Sequence, residues 1–160
     1  MKNKLIDGFA PVFDENSKIL ILGSFPSVIS RQNGFYYGNK RNRFWQVLAE
    51  VFCEPLPVTI DDKIQFLKRH NIALWDIVDK TDLKGSADSD IKNFKVVNLK
   101  KVLDFCQISV IICNGKKSFQ IFSANYDLPQ KVYALPSTSP ANVSFKKDEW
   151  LNVFKEILDG

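Results

Sequence analysis

Four consecutive aliphatic residues, Ile19 to Leu22, are followed at once by Gly23, and this run limits the folds open to the chain. A short apolar run that ends at a turn residue is typical of a strand buried on both faces. Three further runs that read as strands lie at residues 72–78, 109–113 and 131–135, with helical patterns between them. Strands that alternate with helices predict an α/β fold. We expect a three-layer sandwich with a central four-stranded, mostly parallel sheet flanked by helices.

The helical segments have apolar residues at helical spacing. We expect Asn42 to cap a helix that begins near residue 44, and a second helix to run from residue 61 to residue 70. A third is expected over residues 99–106 and a fourth over residues 116–124. Inward-facing residues are predicted to be Phe119 and Phe122 in the fourth helix, and Trp150, Leu151, Phe154, Ile157 and Leu158 in the last.

Length and composition favour one compact unit. A chain of 160 residues is expected to form a single domain over residues 1–160, and its 45% hydrophobic content with 13 Phe is enough for one core. The net charge is +4, which permits an anionic partner without requiring one.

The cysteines and the N-terminus bear on compartment and cofactors. Cys53, Cys106 and Cys113 are too scattered for a zinc or iron–sulfur signature, so we expect three reduced core thiols, no metal and no cofactor. An odd number of cysteines without a disulfide pattern favours a reducing cytoplasm. The sequence shows neither a signal peptide nor a run of membrane-spanning length, so no membrane contact is expected.

The segment that follows the first strand combines aromatic, amide and basic side chains. It contains Phe25, then three aromatic residues at 35–37, then Asn39, and it carries four bases and no acid: Arg31, Lys40, Arg41 and Arg43. Aromatic rings with amides and cations are what a pocket for a nucleobase beside a phosphate chain requires. The alternative is that the three adjacent aromatic residues belong to the core.

Several candidate motifs each follow a predicted strand. Residues 23–27 follow the first, Asn114-Gly115 the third, and residues 137–142 the fourth. In a parallel sheet the carboxyl ends of the strands share one edge, so these segments are expected to meet there. Asp76 lies within the second predicted strand, where it either caps the strand end or lines this site. Residues 80–90 are polar and are expected to form a loop.

Several motifs resemble the uracil-DNA glycosylase superfamily, and most closely its hypoxanthine-DNA glycosylase branch, the sixth family. The mismatch-specific uracil glycosylases are more distant relatives. The matching segments are GSFPS (23–27), GFYYGN (34–39), RNRFW (41–45), ALWD (73–76), GSADSD (85–90) and LPSTSPAN (135–142). The resemblance implies a metal-independent, monofunctional DNA repair glycosylase that hydrolyses the N-glycosidic bond of deaminated bases, hypoxanthine first and uracil second. It also implies DNA containing a deaminated base as the partner, and a monomer.

The resemblance assigns the catalytic role to Asn39. Many relatives have Asp or Asn at the third position of the first loop, where this chain has Phe25, as the hypoxanthine branch does. An amide can accept a hydrogen bond from water or donate one to the base. The alternative is that Asn39 holds a left-handed turn beside Gly38.

The resemblance also suggests which residues bind the base. Phe25 or Tyr36 would stack on it, Asn114 would read its edge, and Ser24 joins this set. Asn114 has an alternative role as a strand-end cap.

Serine hydroxyls, basic side chains and the tip of a loop would hold the DNA. Ala141 and Asn142 would enter the gap left by the flipped base, and Lys40 stands where the family usually has Pro. The candidate phosphate contacts are Ser27, Ser86, Ser89, Ser137, Ser139, Lys40, Arg41 and Arg43. Attack of the Lys40 amine on C1′ would add a lyase activity. Two other classes remain open: a non-catalytic binder of damaged DNA or nucleotides, and a hydrolase with a Ser24 or Ser27 nucleophile.

Overall fold

The computed structural model describes residues 6–81 and 94–160. The strands in this part of the chain are β1 (Ile6–Asp7), β2 (Ile19–Gly23), β3 (Ile72–Asp76), β4 (Val78–Thr81), β5 (Lys95–Val96), β6 (Val110–Asn114) and β7 (Lys131–Leu135). The helices are α1 (Val28–Asn33), α2 (Phe44–Val51), α3 (Ile60–Arg69), α4 (Lys100–Leu103), α5 (Lys116–Asn125) and α6 (Lys147–Asp159).

The central sheet has four parallel strands in the order β3-β2-β6-β7. Ile21 of β2 lies opposite Leu74 of β3 on one side and Ile112 of β6 on the other. The aliphatic residues of β2 are buried because the strand is central and helices flank the sheet. The predicted α/β fold with a four-stranded sheet is therefore confirmed.

The segment that precedes β2 covers the β3 edge of this sheet. Val12 forms an antiparallel bridge with Leu74, and each residue donates its N–H to the other's carbonyl at 2.9 Å. This pairing satisfies backbone groups that an edge strand would otherwise leave open.

A second, three-stranded antiparallel sheet in the order β1-β4-β5 was not predicted. After Asp76, Ile77 N still donates to Gly23 O at 2.8 Å and Val78 N donates to Ser24 O at 3.0 Å, and from Val78 onward the chain pairs with β1 and β5 instead. The predicted strand over residues 72–78 is therefore divided, and residues 80 and 81 lie in β4 rather than in a loop. The motif at residues 85–90, with Ser86 and Ser89, lies outside the described residues.

Helices α2 and α6 pack together through aromatic side chains. The ring centroids of Phe44 and Trp150 are 6.2 Å apart, and those of Phe52 and Phe154 are 5.9 Å apart. Leu158 was expected to face inward but is 51% exposed. Ile157, which was also expected to face inward, does pack against the core, because it follows the buried Trp150 by seven residues and seven residues bring a helix back to nearly the same angle.

Three further details differ from the prediction. Phe119 is 37% exposed, because α5 buries the face that carries Ser118, whose hydroxyl donates to Leu22 O at 2.7 Å. The helix expected over residues 99–106 is shortened to the four residues of α4. Arg43 rather than Asn42 is the residue before α2, although Asn42 Oδ1 still accepts from Phe44 N at 3.0 Å.

Within the described residues, no helix has both the length and the apolar character needed to cross a membrane.

Candidate active site

A cavity of about 510 Å³ opens where the carboxyl ends of the central strands meet. This volume lies within the range of roughly 300–1,000 Å³ that is usual for ligand pockets. Ten of the predicted site residues line it: Ser24, Phe25, Ser27, Tyr36, Asn39, Asn114, Ser137, Ser139, Ala141 and Asn142. The loops that the sequence placed at one edge of the sheet therefore share one cavity. Lys40, Arg41 and Arg43 are not among its lining residues.

Helix α1 anchors the side of the cavity that the segment after β2 forms. Ser27 caps α1, and its Oγ accepts from Ser30 N at 3.1 Å. Ser30 Oγ in turn accepts from Gly38 N at 2.9 Å, and Asn33 Nδ2 donates to Gly38 O at 2.8 Å. The turn that precedes Asn39 is thus held against α1 from both sides of Gly38.

Asn39 lies at the cavity wall in a short turn. Its Oδ1 accepts from Arg41 N at 2.9 Å, while its Nδ2 donates to no other group in the described part of the chain. The positive φ angles of this segment belong to Gly34 at 80° and Tyr37 at 52°. The alternative in which Asn39 takes the left-handed conformation is therefore wrong, and its catalytic role stays a prediction.

The two candidate stacking rings differ in their surroundings. Tyr36 is only 2% exposed, and its hydroxyl donates to Ala10 O at 2.7 Å. Burial raises the pKa of the Tyr36 hydroxyl far above its ordinary value, and Asp76 and then Tyr37 add to this increase. Tyr36 is thus a fixed part of the wall. Phe25 also lines the cavity, with the Arg31 guanidinium 5.8 Å from its ring centroid.

Asn114 joins the end of β6 to the loop after β7. Its Nδ2 donates to Thr138 Oγ1 at 3.0 Å, and its Oδ1 accepts from Thr138 N at 3.1 Å. An Asn amide has two donors and two acceptor positions, so one of each remains for a base. Next to it, Gly115 has a φ of 99°, and a Cβ there would lie 3.1 Å from Ser137 Cβ. The end of β6 is therefore in close contact with the loop after β7, residues 136–142, which we call the late loop.

The late loop is braced by its own hydroxyls. Ser137 Oγ accepts from Ser139 N, and Ser139 Oγ accepts from Ala141 N, both at 3.2 Å. Asn142 Nδ2 donates to Ser137 O at 3.0 Å and closes the turn. Because both serines accept in these bonds, their own O–H groups can still donate to a phosphate.

Arg43 connects the segment after β2, to which it belongs, with the late loop after β7. Its Nη1 and Nη2 donate to Asn142 O at 3.2 and 3.1 Å, and its backbone N donates to Thr138 O at 3.1 Å. The guanidinium also lies 4.7 Å from the centroid of the Phe145 ring. Lys40 and Arg41, by contrast, are exposed.

Three residues matter more at this site than the sequence indicated. Asp76 lines the cavity, which is one of the two roles that the sequence left open, and Tyr37 and Thr138 line it as well. An acid inside an apolar strand was the only signal for Asp76. No sequence pattern indicated Thr138, because its role depends on its two hydrogen bonds with Asn114, which only the fold brings next to it.

The fold and the cavity define an α/β protein that can enclose a base-sized ligand among aromatic and amide groups. The chain belongs to the uracil DNA glycosylase superfamily, whose profile matches residues 10–159. The resemblance seen in the motifs is thereby confirmed.

Two relatives and one solved structure are similar over nearly the whole chain. A protein named hypoxanthine DNA glycosylase from Methanosarcina barkeri is 33% identical over 153 residues, which cover 92% of this chain and 97% of the relative. A protein of the same name from Methanosarcina acetivorans is 35% identical with the same coverage. A solution NMR structure provisionally described as a uracil DNA glycosylase from Methanosarcina acetivorans has a TM-score of 0.81 and 32% identity, and the match covers 96% of this chain and 98% of that one.

Proposed function

We propose that this protein is a DNA-deoxyinosine glycosylase, an enzyme that hydrolyses the N-glycosidic bond of hypoxanthine in DNA and, second, that of uracil. The observation that carries the proposal is the cavity of about 510 Å³, in which Phe25 and Tyr36 lie with Asn39 and Asn114. Aromatic rings and amides together suit an extruded base. The two relatives named hypoxanthine DNA glycosylase support the choice of base.

The reaction requires little covalent chemistry from the protein. A water oxygen bonds to C1′ of the sugar, the bond from C1′ to the base nitrogen breaks with its electron pair on the base, and the proton lost by water neutralises the departing base. The sugar becomes oxocarbenium-like and the base gains negative charge, so fixed donors near the base lower the barrier. Asn39 supports this step by orienting water through its amide oxygen or by donating to the base through Nδ2.

Extrusion of the base requires a grip on the DNA backbone on both sides of the cavity. We assign this role to the Ser27, Ser86, Ser89, Ser137 and Ser139 hydroxyls and to the cations Lys40, Arg41 and Arg43. Ala141 is exposed at the loop tip, where it and Asn142 would fill the gap left by the base.

The test is base release from oligonucleotides that contain one hypoxanthine, one uracil or only normal bases. Wild type, Asn39→Ala and the control Asn16→Ala are compared with EDTA present. Asn16 is exposed in the turn before β2, at the amino end of the central strands. Its replacement removes the same amide group away from the cavity. We expect hypoxanthine release by wild type and Asn16→Ala that falls by at least 100-fold in Asn39→Ala, as expected for a lost electrostatic contact to the reacting groups.

The other outcomes separate the alternatives. Release of uracil alone would change the substrate assignment, and DNA binding without release of any base would identify a binding module. Loss of activity in EDTA would contradict the metal-independent mechanism. Trapping of a protein–DNA adduct by borohydride, absent in Lys40→Gln, would reveal a lyase and contradict the monofunctional assignment.

The remaining assignments concern organisation and compartment. We infer a single-domain monomer, which sedimentation at micromolar concentration tests directly. We also infer a cytoplasmic location, which is supported by three free cysteines.

A further inference from the structure

We propose that the positive charge of Arg31 stabilises the negative charge that develops on the departing base, and that it acts across the ring of Phe25. The inference rests on the proposed function and concerns how the same cavity assists the step in which the bond breaks. Because Arg31 contacts the ring and not the base, it is assigned as a positioning residue.

The wall of the cavity offers a departing anion no cation. Among the described residues that line it, none is Lys, Arg or His, and Asp76 contributes a carboxyl group. The one histidine of the chain, His70, stacks on Phe52 outside the cavity. A positive charge directly behind the wall would therefore lower the free energy of the state in which the base carries negative charge.

Arg31 lies behind one residue of this wall. Its guanidinium carbon is 5.8 Å from the centroid of the Phe25 ring, which is within the reach of a cation–π contact. Phe25 lines the cavity and is 8% exposed, whereas Arg31 is not among the lining residues. The ring therefore lies between the guanidinium and the space that a base would occupy.

The start of α1 brings Arg31 back to Phe25. Ser27 caps the helix, and Arg31 N donates to Ser27 O at 2.9 Å. One helical turn returns a side chain to the level of the residues that precede the helix, and Phe25 is one of these. Arg31 also belongs to the last turn of this short helix, where a cation is favourable for the helix dipole. An experiment must therefore separate the effect on the base from a structural effect on α1.

The charge of Arg31 is not compensated by a nearby acid. Its Nε is buried and has no hydrogen-bond partner in the described part of the chain. The ion pairs among the described residues do not include Arg31. Arg43 differs in this respect, because its guanidinium donates twice to Asn142 O. The field of Arg31 is thus available to a group on the other face of the Phe25 ring.

The distance predicts a moderate effect. A base that stacks on Phe25 at about 3.5 Å would lie about 9 Å from the guanidinium. With an effective dielectric constant of about 20, a full negative charge at that distance is stabilised roughly 20-fold in rate, and half a charge roughly 5-fold. A base that forms a stable anion by itself leaves with less charge developed and should gain less from Arg31.

The experiment compares wild type with Arg31→Gln, Arg31→Lys and the control Arg69→Gln. The Arg69 guanidinium also lies over a phenylalanine ring, 5.7 Å from the Phe66 centroid, but at the amino end of the central strands. Single-turnover release is measured from single-stranded oligonucleotides with hypoxanthine or 8-azahypoxanthine, whose additional ring nitrogen stabilises the departing anion. We expect Arg31→Gln to slow hypoxanthine release by about 5- to 20-fold and 8-azahypoxanthine release by less than about 3-fold. Arg31→Lys and Arg69→Gln should stay within about 3-fold of wild type on both bases.

A structural role of Arg31 predicts different results. Distortion of α1 would slow the release of both bases equally, and an equal loss in Arg31→Gln refutes the inference. Arg31→Lys as slow as Arg31→Gln would show that the charge is not the cause. Affinity for an oligonucleotide with 2′-fluorinated hypoxanthine, which resists cleavage, should be the same in wild type and Arg31→Gln. A weaker affinity with a reduced salt dependence would identify a phosphate contact instead.

A second pair of variants is used if thermal unfolding shows that Arg31→Gln does not fold. Arg31→Met and Arg31→Lys both keep an unbranched stem, and only the second keeps the charge. We expect Arg31→Met to release hypoxanthine about 5- to 20-fold more slowly than Arg31→Lys, and equal rates would overturn the inference.

Failure of this inference differs from failure of the proposed function. If wild type releases hypoxanthine and the Arg31 variants keep the wild-type rates on both bases, the role of Arg31 is refuted and the glycosylase assignment stands. If wild type releases no base from any substrate, both are refuted.

Discussion

Asn114 and Thr138 are joined through both polar atoms of the asparagine amide, with one bond to the threonine hydroxyl and one from its backbone N–H. The pair links the end of β6 to the loop after β7, 24 residues further along the chain. Both residues are buried, so solvent replaces a lost bond poorly. The placement of the late loop therefore depends on this pair.

Replacement of Thr138 by Val should remove the hydroxyl while keeping the shape of the side chain. We expect the free energy of unfolding to fall by about 1–3 kcal/mol, because the buried Asn114 Nδ2 loses its acceptor. Binding to DNA should also weaken, since the serines of the late loop are no longer held in place. Urea denaturation measures the first effect, and Thr138→Ser, which keeps the hydroxyl, is the control. A Val variant as stable as wild type would show that the hydroxyl bond does not matter.

Lys40 and Arg41 should contact phosphates, since both are exposed beside the cavity. Each contact releases counterions, so Lys40→Gln and Arg41→Gln should each reduce the slope of log affinity against log salt by about 0.9 on duplex DNA. Lys68→Gln is the matched control, because Lys68 is exposed at the end of α3, which lies at the amino end of the central strands, away from the cavity. A slope that changes as much in Lys68→Gln would mean that net charge, rather than contact, sets the salt dependence.

The three cysteines should differ sharply in reactivity. Cys53 is exposed, which corrects the expectation of three core thiols, whereas Cys106 and Cys113 are buried. Burial raises the pKa of Cys113 to about 11 and also raises the pKa of Cys106, so little thiolate is present at pH 8. A chromogenic disulfide reagent should therefore modify one thiol in the native protein and three in denaturant. Native Cys53→Ser should not react, and rapid modification of a second native thiol would contradict the burial.

Glu54 should contribute to stability in a pH-dependent way. Arg69 Nη2 lies 2.5 Å from Glu54 Oε1, and His70, whose ring stacks on Phe52, contacts the other carboxylate oxygen. Arg69 first, and His70 to a smaller extent, lower the pKa of Glu54 below its usual value. A lowered carboxyl pKa stabilises the folded state above the usual Glu pKa, and this stabilisation disappears as the pH falls through the lowered value.

The check is thermal unfolding of wild type and Glu54→Gln between pH 7 and pH 3. Wild type should be the more stable protein at pH 7, and the difference should shrink as the pH falls below the usual Glu pKa. Glu15→Gln, at an exposed turn position, should show no such trend. A difference that stays constant with pH would rule out the ion pair as its source.

The central sheet could be predicted because each buried parallel strand is a nearly continuous apolar run, as Ile19 to Leu22 illustrates. The small sheet could not be predicted in the same way. β1 and β5 have two residues each, too few for any periodicity, and β4 is a strand only through its pairing with them. His70, which follows α3, is half-buried because its ring stacks on Phe52 at the end of α2.

The site was predictable as a set of loops and less so as a set of contacts. The position of the motifs after parallel strands indicated that residues 23–27, Asn114 and the late loop would meet. The positive φ at Tyr37 rather than Asn39 depends on how Gly38 packs against α1, which no pattern in the sequence reveals. The bond between Asn114 and Thr138 likewise exists only in the folded chain.

Arg43 belongs to the segment after β2, yet its guanidinium and backbone N–H hold Asn142 and Thr138 in the segment after β7. Neither segment can be exchanged alone. A chimera that takes residues 136–142 from another glycosylase would carry a loop shaped for a different counterpart, and a grafted first loop would meet the same mismatch. The unit that an engineer must move to alter base preference is therefore both segments together.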